Sequence, residues 1–202
     1  MECKRCGTCC QKGGPALHKE DLAILERGVI GPDELITFRK GEPAFHPKRQ
    51  ELIPLPSEMI KIKGLGLTGR CIFFDESRCA CTIYDDRPLE CRLLKCWDTA
   101  AIEEVFLKDL LVRADLFGLS PVIMELIAAH ERAFPLGSIL ASGPDSIRQA
   151  AEDERRFRRL VSEKYGLDEA SMLLILGREI AAVAGSNLAE EKGPADQEKN
   201  EC

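Results

Sequence analysis

Nothing in this sequence limits the fold as strongly as the placement of its cysteines. The chain has 202 residues and ten cysteines, nine of them in two tight groups. Cys3, Cys6, Cys9 and Cys10 crowd the first ten positions, while Cys71, Cys79, Cys81, Cys91 and Cys96 follow about sixty residues later. Cys202 stands by itself in a charged tail and is expected to be exposed and unligated. A Cys-x-x-Cys unit lets two sulfurs of one tight turn face the same ion. Thiolates are strong ligands for zinc, copper(I) and iron–sulfur clusters.

Cys3, Cys6 and Cys9 repeat that spacing twice, as consecutive ligands of a bacterial ferredoxin run do. Neighbouring side chains diverge, so Cys10 is expected to serve a second metal or to ligate nothing. Cys79 and Cys81 form another close pair. The candidate metal ligands are Cys3, Cys6, Cys9, Cys10, Cys71, Cys79, Cys81, Cys91 and Cys96. That number serves two four-cysteine zinc sites, or one cluster with spares. Structural free thiols are small scattered hydrophobes and do not gather in such units. A thioredoxin-type pair calls for a βαβ pattern, which is missing around Cys3.

Net charge is −6, so no face for sequence-independent binding of phosphate backbones is expected, and no nucleic-acid partner. The best apolar run, Pro121 to Ala129, is broken by Glu125 and falls short of a membrane span. The N-terminal residues lack the apolar stretch of an export signal, which predicts a cytoplasmic protein. In that reducing compartment, clustered cysteines serve as ligands or catalytic thiols more often than as disulfides.

The sequence predicts short helices from His18 and from Pro32, and proline-interrupted loop and extended chain from Lys40 to Pro56. Met59–Lys63, Cys71–Asp75 and Ala80–Tyr84 read as strands. Gly64–Gly69 reads as a flexible turn, since it lacks the lysine-serine ending of a phosphate loop. Pro88 is expected to open a helix through Cys91 and Cys96. Four helices follow: Thr99–Phe117, Ser120–Ala133, Ser146–Tyr165 and Asp168–Ala184. In the third, Glu152–Arg156 and Glu154–Arg158 have the spacing of a solvated face.

Three blocks together are specific: Cys3-x-x-Cys6-Gly7-x-Cys9-Cys10; Gly69-x-Cys71-Ile72-Phe73-Phe74; and Cys81-x-Ile83-Tyr84-x-x-Arg87-Pro88-x-x-Cys91-Arg92 with Cys96. In these the chain resembles the CxxCxxCC, or YkgJ-like, cysteine-cluster family over roughly its first hundred residues. The resemblance implies a zinc- or iron-chelating protein. Members are often labelled iron–sulfur oxidoreductases, and a related signature occurs in flagellin lysine N-methylases. Arg87 and Arg92 are expected to neutralise the thiolates and donate hydrogen bonds to sulfur.

The expected fold class is α+β, mostly α, with a small cysteine-rich metal-binding region of short strands followed by a helical C-terminal half. Residues 1–98 are expected to form the metal-binding domain, 99–186 a helical region and 187–202 a disordered tail. The expected cofactor is an iron–sulfur cluster serving electron transfer or a redox or modification enzyme. The alternatives are structural zinc with the helical half as an interaction module for a protein partner, and a metal carrier or maturation factor. The spaced units single out Cys3, Cys6, Cys9, Cys81, Cys91 and Cys96 as ligands of one composite site. The sequence does not say whether the protein is an enzyme.

Overall fold

The protein is seen here as a computed structural model that describes residues 5–65 and 69–190. Cys3, Cys202, part of the Gly64–Gly69 turn and the tail from 191 onward lie outside those residues. The elements run α1 (Thr8–Gln11), α2 (Leu22–Glu26), β1 (Leu35–Phe38), β2 (Pro43–His46), β3 (Glu51–Pro54) and β4 (Met59–Ile62). Next come β5 (Gly64–Leu65), β6 (Arg70–Cys71), β7 (Phe74–Asp75), β8 (Ala80–Cys81), α3 (Leu89–Leu93) and α4 (Ala100–Val105). The chain continues through α5 (Arg113–Phe117), α6 (Pro121–Ala133), α7 (Leu136–Leu140), α8 (Pro144–Tyr165), α9 (Glu169–Ile175) and α10 (Ile180–Glu190). The fold is α+β and mostly helical, with short antiparallel strand pairs. The chain divides into two compact units, residues 5–35 with 60–111, and residues 36–59 with 112–190.

In the first unit three extended segments close a ring of backbone hydrogen bonds. The Leu17 N–H donates to Ile60 O (2.8 Å), Ile60 N–H to Leu111 O (3.0 Å) and Leu111 N–H to Leu17 O (2.8 Å). All three side chains are fully buried. This ring corrects the predicted helix Thr99–Phe117. The helix stops at Val105, Leu107 and Asp109 take positive φ, and Leu110 and Leu111 run extended beside His18 and Ile60. Burying two leucines against the ring outweighs continuing the helix.

The expected strand Cys71–Asp75 is likewise two pieces. Arg70–Cys71 pairs with Gly64–Leu65, the chain turns, and Phe74–Asp75 pairs with Ala80–Cys81. Asp75 closes the second hairpin by accepting hydrogen bonds from the Ser77 N–H (2.9 Å) and hydroxyl (2.7 Å). Its carboxyl lies below the usual range, chiefly because of that hydroxyl.

The second unit packs α6, α8, α9 and α10 around Ile127, Val161, Leu176 and Ile180, with Phe134, Leu136 and Ala151 beside them. Lys40 to Pro56, read as loop and extended chain, contains an antiparallel hairpin with Phe45 opposite Leu52. The helix expected over Asp168–Ala184 is broken at Gly177, whose φ is +77°. A Cβ there would lie 2.7 Å from the Arg39 side chain.

Glu154 and Arg158 are not on a solvated face. They are 1% and 4% exposed and belong to a buried chain of charges. Arg113 donates from Nε to Glu58 (2.8 Å) and from Nη2 to Glu131 (2.7 Å). Arg39 donates to Glu131 (3.0 Å) and lies 3.5 Å from Glu154. Glu154 also meets His130 Nε2 (2.9 Å), Arg158 (3.1 Å) and the Ile180 N–H (2.7 Å). The carbonyls that α9 leaves unpaired at its end are taken up by the same group. Thr37 Oγ1 donates to Leu174 O (2.6 Å), Arg113 to Ile175 O (2.7 Å) and Arg158 to Gly177 O (2.8 Å).

Arg113→Ala should therefore lower unfolding stability by about 3–5 kcal/mol, because it strips one partner from a buried ion pair and leaves charge behind. Arg132→Ala breaks an exposed pair with Glu125 and should change it by less than about 0.5 kcal/mol. Urea denaturation of the two variants beside wild type makes the comparison.

Candidate metal centre

The N-terminal cysteine knot is shaped by Gly7, which has a φ of +73° at the start of α1. A Cβ at Gly7 would fall 2.3 Å from the Phe74 ring, so only glycine lets the knot close onto that buried phenylalanine. The single turn of α1 then carries Cys9 and Cys10, whose Sγ atoms are 4.0 Å apart. A second close approach follows at Gly14, where a Cβ would meet Ile62 O at 2.3 Å.

The other side of the centre is built by Asp21 and α3. Asp21 is fully buried and its carboxylate bridges two segments, accepting from the His18 N–H (2.9 Å) and the Leu89 N–H (2.8 Å). Burial raises its carboxyl above the usual range against those bonds. This link sets the start of α3, and Cys91 lies within its first turn. Glu90 on the same turn accepts from the Ala16 N–H (2.8 Å) and has its other oxygen 3.6 Å from His18 Nε2. The sequence shows Glu20 and Asp21 only as acids of a helix's first turn, so their reach across the chain goes unread. The helix from Pro88 ends at Leu93 and does not include Cys96.

These pieces enclose a cavity of about 170 Å³. Five thiols line it: Cys9, Cys10, Cys71, Cys81 and Cys91. Arg87 and Glu90 are its charged lining residues, and Ile62, Phe73, Ile83, Leu94 and Ile102 supply apolar wall. Cys6 is exposed, 3.2 Å from the Thr8 hydroxyl. Cys79, expected as a ligand, is disulfide-bonded and offers no free thiol, and Cys96 is exposed. Neither Cys6, Cys79 nor Cys96 lines the cavity. Cys9 and Cys10, expected to diverge, both face it. None of the three histidines lines it.

Arg92 departs from its expected role. It donates to the Arg87 carbonyl (2.6 Å) and pairs with Glu20, so it braces the backbone and leaves the thiols to Arg87. Arg87 stacks on the Tyr84 ring, 3.5 Å from its centroid, and Arg5 stacks on the same ring at 3.9 Å.

The electrostatics of the thiols belong to a site built for a cation. Burial pushes the Cys91 thiol well up, and Cys71, Cys9 and Cys81 push it further. Burial likewise raises Cys71 and Cys81, with Arg87 partly opposing the rise at Cys81. Cys10 is raised because its thiol hydrogen bond goes to Cys9. That bond brings Cys9 down to about 6. Among the described residues no three histidine, cysteine, aspartate or glutamate side chains already form a finished cage. The five thiols line the cavity without converging on one point. Soft donors, several of them held protonated by burial and mutual repulsion, suit a thiophilic cation that reverses both effects.

The chain belongs to the CxxCxxCC family, whose model is described as a "putative zinc- or iron-chelating domain" and matches residues 2–108. No curated protein and no solved structure matches the chain. No described helix is long and apolar enough to cross a membrane.

Cys→Ser at positions 9, 10, 71, 81 or 91 should lower bound metal per chain, while Cys96→Ser should leave it at the wild-type level; elemental analysis reads both. Binding should also release protons. Thiols held above their usual pKa are protonated at neutral pH and must ionise to ligate, so affinity should rise with pH. Cys9, at about 6, is already thiolate at pH 7 and adds no release above it. Proton release measured during metal titration in weakly buffered solution tests the sign.

Proposed function

We propose that the cavity holds an iron–sulfur cluster and that the protein transfers electrons, or serves as a redox accessory to a modification enzyme. The carrying observation is five thiols from four segments around a space of about 170 Å³. Five donors exceed the four that one tetrahedral ion takes, which favours a multinuclear centre. Apolar walls would shield it from water, a determinant of cluster potential.

A single structural zinc is the second reading, with one observation in its favour. The 4.0 Å between the Cys9 and Cys10 sulfurs is near the edge of a tetrahedral thiolate site, about 3.8 Å for bonds of about 2.3 Å. Exposed Val122 and Leu160 beside a groove between α6 and α8 support the interaction-module part of that reading.

Protein made in iron-replete cells and purified without oxygen should be brown and contain acid-labile sulfide. Colourless protein with stoichiometric zinc and no sulfide would replace the first reading with the second.

A further inference from the structure

Four thiolates around a doubly charged ion or cluster core leave about two excess negative charges in a partly dry pocket. The described residues that line the cavity contain one cation, Arg87, and one further carboxylate, Glu90. Glu90 is committed to the Ala16 N–H and adds negative charge. The guanidinium of Arg87 has no carboxylate partner among the described residues, and its Nε is buried without any hydrogen-bond acceptor. A buried donor left unpaired is costly, and folded proteins seldom keep one without a use. The side chain is also held firmly in place. Its planar group lies on Tyr84, its carbonyl accepts from Arg92, and Pro88 follows it in the chain.

We propose that Arg87 is the positioning residue of the metal centre, donating its Nε–H to a sulfur of the metal–thiolate assembly and offsetting that assembly's excess charge. The proposal rests on the metal-binding reading and holds for zinc or for a cluster. Through the donated bond, Arg87 orients the thiolate that receives it; through its charge, it makes the crowded assembly cheaper to form. Tyr84 and Arg92 act on Arg87, keeping the fork from swinging out to solvent.

The test uses the full chain, metal-free and reduced, with zinc(II) alone in competition against a chelator and cobalt(II) alone for the thiolate charge-transfer band. Arg87→Gln removes charge and fork together and should weaken zinc binding at least about tenfold, within the range for outer groups that support metal ligands. It should also move the cobalt band, which packing alone would not do. Arg87→Lys keeps the charge and loses the fork, so it should recover part of the affinity while its cobalt band stays displaced. This second variant also guards against a Gln variant that fails to fold. Wild-type affinity and an unmoved band in both variants would overturn the proposal while leaving the metal centre intact. Full recovery of affinity and band in Arg87→Lys would overturn the donated bond. A wild-type chain that takes up neither ion would overturn the metal reading and this inference with it.

Discussion

Thiols packed round a cavity with apolar walls repel one another once ionised, and a bound cation offsets that repulsion. The first unit is arranged around that constraint. Cys91 and Cys71 are pushed up by burial and by the thiols around them, while Cys81 is raised by burial with Arg87 opposing. The regular structure that carries them is slight: α1 has four residues, α3 has five, and β6 and β8 have two each. Elements that short have little stability of their own. Besides the ring through Leu17, Ile60 and Leu111 and the two short hairpins, the cysteine-bearing segments are tied by Asp21 bridging His18 and Leu89, Glu90 bonded to Ala16, and Arg92 paired with Glu20. Metal-binding energy at such a site is also folding energy.

The second unit meets the problem of buried charge without a metal. Arg39, Arg113 and Arg158 each reach both a carboxylate and a helix-end carbonyl. A break in α9–α10 at Gly177 is affordable because the exposed carbonyls are met at once by side chains from other segments. Such networks are intolerant of partial loss, since each remaining charge is left in a place without water.

The cysteine spacing, the turn at Pro88, the helix at Pro121 and the stop at Gly166 were all legible, because each depends on residues within a few positions of one another. The misreadings share a different origin. Leu110 and Leu111 have helical spacing, yet burial beside Ile60 draws them into extended chain. Glu154 and Arg158 have the spacing of a surface pair and are buried, because Arg39 arrives from more than a hundred residues away. Arg92 looks like a partner for sulfur and is taken instead by Glu20.

The sequence by itself determined that thiolate chemistry is present, which two segments supply it, and that the chain is α+β with helices towards its C-terminal end. These follow from local spacing, turn chemistry and composition. Only the tertiary structure decided that Cys9, Cys10, Cys71, Cys81 and Cys91 share one cavity while Cys96 stays outside, and that residues 36–59 join the helices. It also decided that Arg87, and not Arg92, lines that cavity. Those outcomes depend on which distant groups compete for the same buried position, a comparison of energies that spacing along the chain does not contain.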